Sequence, residues 1–571
     1  MYSVTSEGMI GCRVRLHFWR RCALVTTIVG VGGAQILAQC TENQKLTAAV
    51  PGGGKGFGSS VSVSGNTAFI GAQFSSAYVY GFNGVDWVEE QKLTSSQTFG
   101  QSVSVSGDTA IVGAWKDHCA TGDPSCGAAY VFRSNGVSWV EEKKLNASDE
   151  AIADQFGWSV SVSGDTVVVG ANAGNCAGIA FCGAAYIFRF NGVDWIEEQK
   201  LTASDAASLD DFGGSVSLSR DTAIVGAYRD DCVRGHECGS AYVYRFNGVD
   251  WVEEQKLTAS DANWIDVFGW SVSVSGDTVV VGAPQKDWAG RGESGAAYIF
   301  RFNGVDWNEE QKLTASDATA DDRFGFSVSV SGDTVVVGAR SKGFAVGDSC
   351  GSAYVYRFDG NAWVEEQKLT AFDAANGDVF GVSVSASGST VVVGAAGDDC
   401  EAGDYCGAVY VFSCHTVAHL DIKPGSCPNS VNANAKGLVP VALVGSEAFD
   451  VNDVDVSSVV LGRSDGLGSE IRPAAMKNGR LRASIEDVAT PLDGTGCDCH
   501  ERGGDAIDDL MLKFSTPEMS RAFELDALPR GERIELVLRG SLLDGTTFNA
   551  TDCIAIPGTD RDSRKPPSKG K

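Results

Sequence analysis

Residues 212–227 read Phe212-Gly213-Gly214-Ser215-Val216-Ser217-Leu218-Ser219-Arg220-Asp221-Thr222-Ala223-Ile224-Val225-Gly226-Ala227. Val216 and Leu218 alternate with serines, the period-2 pattern of a strand buried on one face, which predicts a strand over Gly214–Ser219. Arg220-Asp221 makes a turn, and the β-branched run that follows predicts a second strand over Thr222–Ala227. A third is expected over Ala241–Phe246. Asn247-Gly248, a pair that tolerates positive φ, then opens a hairpin into a fourth over Trp251–Leu257.

The same unit begins at Phe57, Phe99, Phe156, Phe212, Phe268, Phe324 and Phe380, seven copies spaced 42, 57 and then four times 56 residues apart. Four antiparallel strands repeated seven times give an all-β, seven-bladed β-propeller, or else an open β-solenoid. Strand arithmetic separates them. The fourth strand ends at Leu46, Leu93, Leu145, Leu201, Leu257, Leu313 and Leu369, so one copy precedes the first unit and the last unit lacks its own. Thr41 to Thr47 is therefore expected to complete the blade begun by Phe380, as a closed ring requires and a solenoid does not. Aligning the repeats places Cys40 where Trp195 stands and Cys414 where Phe190 stands, two residues that face each other across a hairpin, so a Cys40–Cys414 disulfide is expected to lock the ring.

The Phe-Gly and Gly-Ala(-Pro) pairs, as in Phe268-Gly269 and Gly282-Ala283-Pro284, resemble the FG-GAP repeats of integrin α-subunit head propellers and their bacterial secreted relatives. The resemblance covers about residues 41–413 and implies an extracellular binding or adhesion propeller. The family's Asp-rich calcium loop between the first two strands has no counterpart here, where that connection is a tight Ser-Gly-Asp-Thr or similar, so those sites do not carry over.

Among 571 residues, 45 Lys and Arg against 73 Asp and Glu give a net charge of −28, which excludes a nucleic-acid backbone as partner unless a local basic patch overrides the field. Arg13, Arg15, Arg20 and Arg21 precede an apolar run, Ala23 to Ala38, shorter than a membrane span. Residues 1–38 read as a signal peptide, and its removal, four Arg against Glu7, takes the charge to −31. The competing reading is a lipid anchor on Cys40, against which Gln39 stands where a small residue is wanted. The product is expected to be secreted, extracellular, at the cell surface or in the periplasm.

Carboxylates gather in the connections between blades and between second and third strands, which leave the ring on one face. Metal candidates among them are Asp205, Asp210, Asp211, Asp317, Asp321 and Asp322, as ligands for Ca²⁺; the alternative is a solvating surface of Asx turns. Aromatics collect on the same face: Trp158, Trp270 and Phe326 directly after Phe-Gly, and Trp115, Trp264 and Trp288 in the connections. They are candidate platforms for a glycan, peptide or surface partner, or else blade packing. Five His remain after cleavage, in unrelated contexts, with no nucleophile elbow or HExxH spacing. A recognition protein is therefore expected rather than an enzyme, the alternative being a propeller-type polysaccharide lyase or glycoside hydrolase.

The pairs Cys119–Cys126, Cys176–Cys182, Cys232–Cys238 and Cys400–Cys406 are expected disulfides, each pinching a connection ahead of a third strand, whereas Cys350 lacks such a partner and is expected as a free or intermolecular thiol. The propeller is assigned residues 39–415. Residues 416–556 read as a smaller β-sandwich-like domain, with strands near Leu420-Asp421-Ile422, Leu438 to Val444, Val456 to Leu461, Leu481 to Ile485, Leu510 to Phe514 and Ile534 to Leu538. Asp505, Asp508 and Asp509 are calcium candidates there, and Cys427, Cys497, Cys499 and Cys553 can satisfy one another. The Lys-, Arg- and Pro-rich tail, 557–571, reads as disordered.

Overall fold

The computed structural model describes residues 39–49, 56–72, 76–95, 98–118, 125–176, 178–287, 292–343, 349–400, 403, 405–424, 429–445, 449–489, 507–543 and 547–557. The expectations for the signal peptide, the tail, Trp288, Asp505, Cys119, Cys427, Cys497 and Cys499 lie outside these residues.

The repeats fold into seven antiparallel four-stranded blades. In the blade read above, the strands are Phe212–Ser219, Thr222–Ala227, Ser240–Phe246 and Trp251–Leu257. The seventh blade takes Ser383–Ser387, Thr390–Ala395 and the start of Ala408–Ile422 from the end of the repeats, and its outer strand, Gln39–Leu46, from the other end of the chain. Leu46 pairs with Val409 and Cys40 with Cys414 in one antiparallel register. Cys40 and Cys414 are disulfide-bonded, closing 374 residues of chain.

The serines that the alternation places opposite the valines do not simply face water. Each innermost strand offers a serine hydroxyl to a backbone N–H of the next blade: Val105 N–H donates to Ser62, Val162 to Ser104, Leu218 to Ser161, Val274 to Ser217, Val330 to Ser273, Ala386 to Ser329 and Val63 to Ser385, all at 3.0–3.1 Å. The last of these joins blades seven and one, so the ring is closed by hydrogen bonds at its inner wall as well as by the outer strand. Small residues make this approach feasible. Gly226 lies against the carbonyl of Gly269 in the following blade, where any Cβ would collide, and Gly269 holds φ +89°, a conformation that side chains resist. The Phe-Gly and Gly-Ala pairs are thus the two sides of one blade-to-blade contact.

Phe212, Phe268, Phe324 and their equivalents are fully buried, edge-on to the tyrosines of the third strand, as in Phe212–Tyr242 at 5.5 Å. The outer strands are tied by glutamines that mimic a backbone pair. Gln255 donates to the Trp307 carbonyl and accepts from its N–H, both at 2.8 Å. Gln367 does the same to Cys40 across the closing seam.

Cys176–Cys182, Cys232–Cys238 and Cys400–Cys406 are disulfides. Cys126 is also disulfide-bonded. Cys350 corrects the sequence reading: it is buried and disulfide-bonded rather than free, so its partner is not at the expected position in its own connection, where Gly343 stands.

Ala408–Ile422 runs without interruption from the seventh blade into the second domain, so no linker separates the two. There it pairs with Leu438–Val444 and, in parallel, with Thr547–Ala555. This domain is not two facing sheets but one continuous sheet, curled as a half-barrel around a single core that includes Leu420, Val441, Leu512, Leu536 and Phe548. No helix among the described residues is long and apolar enough to cross a membrane.

Candidate functional site

Two residues per blade stand at the mouth of the channel, on the face where the blade-to-blade connections emerge. One follows Phe-Gly and the other follows Gly-Ala, because Phe212 pairs with Ala227 and the strand bulges immediately beyond. Four of the six aromatic candidates occupy these slots, each half-buried: Trp115, Trp158, Trp270 and Phe326. Trp115 and Trp158 meet edge-on at 5.2 Å. Trp270 stands 5.4 Å from Phe326 and 5.0 Å from Tyr228, whose hydroxyl is held by Asp211. Arg340 completes the row, its guanidinium 3.9 Å above the Phe326 ring. Trp264 sits apart on the rim, 62% exposed, against Gly235 in the Cys232–Cys238 connection.

Tyr228, Arg340 and Asn172 were not among the sequence candidates. The signal was available, since all three follow Gly-Ala and the repeat alignment makes that slot the register neighbour of the one after Phe-Gly.

The carboxylates are disposed otherwise than a cation site needs. Asp205 accepts from the Tyr242 hydroxyl at 2.7 Å and pairs with Lys256 at 2.6 Å; Asp317 accepts from Tyr354 at 2.6 Å and pairs with Lys368 at 2.7 Å. Asp149, Asp261 and Asp373 repeat this bracket with Lys200, Lys312 and Lys45. Burial opposes ionisation at each, but the lysine and tyrosine hydrogen bonds outweigh it and hold the carboxyls below their ordinary range, Asp261 at about 2. The face that the composition paints as strongly negative is therefore largely compensated within the chain.

A second, buried aspartate per connection caps the backbone. Asp210 accepts from Ala207 N–H and Asp322 from Thr319 N–H. Lys342 neutralises Asp322 at 2.7 Å. Among the described residues no lysine pairs with Asp210: burial, with the charge of Asp230 added, raises it to about 6, and Asp378 beside Asp398 rises likewise to about 7. Asp321 is exposed, its backbone at φ +64° donating to Gly292. In the second domain Asp508 is exposed and Asp509 is fully buried, accepting from the N–H groups of Gly445, Val488 and Ala489. Among the described residues no three His, Cys, Asp or Glu side chains group as metal ligands.

A family profile described as FG-GAP repeat matches the chain seven times, at residues 40–84, 87–132, 139–188, 195–244, 251–300, 307–356 and 363–412. Each match starts on an outer strand and runs through three strands of the next blade, so the family's repeat straddles the blade boundary. No curated protein matches the chain.

Proposed function

The chain belongs to the FG-GAP repeat family, and on that footing we propose that its propeller is a secreted recognition module that holds an extracellular glycan, peptide or surface partner at the mouth of its channel. The observation that carries this reading is the row Tyr228, Trp270, Phe326 and Arg340, half-buried large side chains in contact with one another at the centre of the ring. Rigid aromatic area of this kind is what binding sites concentrate. Four disulfides among the described residues fit a compartment that does not reduce them, which supports placement outside the cytoplasm. The buried aspartates spend their carboxyl oxygens on backbone N–H groups, and Asp322 also meets Lys342, which favours binding over acid–base turnover.

The test is a glycan and peptide array run beside a product assay on the same ligands. Retention of a ligand without turnover, lost in Trp270→Ala, is the expected result. Turnover that falls when Asp205 and Asp210 are neutralised would replace this reading with an enzyme, and retention indifferent to Trp270 would move the site elsewhere.

A further inference from the structure

Arg340 is the only charged residue in either slot of the channel mouth among the described residues, and it is uncompensated. Its equivalents in the other blades are Trp115, Asn172, Tyr228, Pro284 and Ala396. Among the described residues the guanidinium makes no hydrogen bond or ion pair, its Nε is enclosed without a partner, and the neighbouring charge that acts on it is a second cation, Arg323, itself paired with Glu293 at 3.2 Å. Burial and Arg323 both disfavour its charge. In so acidic a chain, a half-buried arginine that meets none of the described carboxylates is an electrostatic vacancy of definite sign.

The same mouth concentrates unmet hydrogen-bonding capacity. The buried, unpartnered side-chain atoms of the described residues number ten, and four stand in these slots: Gln101 Oε1, Trp115 Nε1, Asn172 Oδ1 and Arg340 Nε. Asn172 is 94% buried with its oxygen unsatisfied, a group that folding alone leaves at a cost. Two acceptors and two donors in the slots of one ring, three of them in the second and third blades and Arg340 at the end of the aromatic row, suit a ligand that is polyhydroxylated, has a flat apolar face and carries a negative charge.

Building on the reading that this mouth is the binding site, we propose that its ligand is an acidic sugar: a carboxylate taken by the Arg340 guanidinium, with the sugar ring against Trp270 and Phe326. The planar guanidinium presents paired N–H donors that match a carboxylate, and its stacking on Phe326 fixes the plane in which they point. The carboxylates around the mouth do not forbid an anion, because Asp205, Asp261 and Asp317 are already occupied by Lys256, Lys312 and Lys368.

The experiment applies the full chain to an array of uronate- and sialate-bearing oligosaccharides, each printed beside its carboxyl-reduced neutral counterpart, with solution affinities from tryptophan fluorescence. At least one acidic sugar should bind tenfold or more tighter than its reduced form. Arg340→Gln should erase that ratio, and Arg340→Lys, which keeps the charge and loses the fork, should restore only part of it. Unchanged melting temperatures exclude misfolding. The proposal is overturned if no acidic sugar is retained, if reduced and acidic forms bind alike, or if Arg340→Gln leaves the ratio intact. Binding of a neutral ligand that is lost in Trp270→Ala would sink the acidic class while leaving recognition at the mouth standing; binding untouched by both variants would sink both.

Discussion

Single residues show how differently two glycines of one repeat are constrained. Gly269 holds φ +89° with the Ser240 carbonyl where a Cβ would go, whereas Gly276, in the first turn of the same blade, holds φ +57° with open space around it. Gly269→Ala is expected to cost about 1–3 kcal/mol from backbone strain alone, with the clash adding to it. Gly276→Asn should stay within about 0.5 kcal/mol, since Asn tolerates the left-handed region and nothing is displaced. Urea denaturation with unchanged slope compares them. Asp378 illustrates the same economy in charge. Its carboxyl is raised to about 7 by burial and by Asp398, so the folded state favours its protonated form. The stability tied to that proton is fully present below the ordinary carboxylate value near 4, and is lost as pH rises from there through about 7. Asp378→Asn keeps an acceptor for Ala375 N–H and removes the titration. The variant should match the parent near pH 4 and exceed it at pH 8, each tenfold change in the acid constant being worth about 1.4 kcal/mol. A stability difference that does not vary with pH would refute the assignment.

At the scale of strands and connections, the irregular copy is the informative one. Outer strands are joined by Gln44, Gln91, Gln199, Gln255, Gln311 and Gln367, but between the second and third blades Lys143 stands in that place and pairs with Asp194 at 2.9 Å. That pair is exposed and screened by salt, whereas the amide makes two directed bonds to backbone. Lys143→Gln should therefore stabilise the protein by about 0.5–1 kcal/mol, with the gain larger at high salt, and Gln255→Leu should destabilise it by about 1–3 kcal/mol by leaving Trp307 N–H and C=O unmet. Thermal melts at two ionic strengths read both. Legibility followed the same division. Strand positions were readable because alternation and turn residues are local, and Thr222–Ala227 and Trp251–Leu257 match residue for residue. The bonding of the serines was not, because alternation says which residues share a face and not that the next blade comes within hydrogen-bond reach. The pairing of the aspartates is not legible from local sequence, which leaves cation ligands and a solvating surface both open, because their lysines lie 51 positions further along the chain, or, for Asp373, at Lys45. The slot after Phe-Gly is legible as a repeating position, whereas in the slot after Gly-Ala only Trp115 stands out, and Arg340 does not because no repeat partner shares its chemistry. In the second domain Thr547–Ala555 went unread, its apolar positions being broken by Asn549, Thr551 and Asp552.

For the molecule as a whole, the ring is only as closed as its seventh blade, the one blade whose strands come from both ends of the repeats. Three independent ties hold Gln39–Leu46 in place: the Cys40–Cys414 disulfide, the amide bonds of Gln367 to Cys40, and Lys45 between Asp373 and Asp398 at 2.8 and 2.7 Å. Of these the disulfide acts on the unfolded chain as well, since it closes 374 residues, for which the chain-entropy account gives on the order of 5 kcal/mol as an upper figure. The double variant Cys40→Ser, Cys414→Ser leaves every hydrogen bond of the seam available and removes only the cross-link. It should lower the melting temperature and, more specifically, make the outer strand of the seventh blade the first element to open, so that amide exchange at Val409–Ser413 becomes faster than at the matching Ala185–Arg189 of the third blade. Equal protection of the two blades, with an unchanged melting temperature, would show that the hydrogen-bonded seam alone closes the ring and that the disulfide is dispensable.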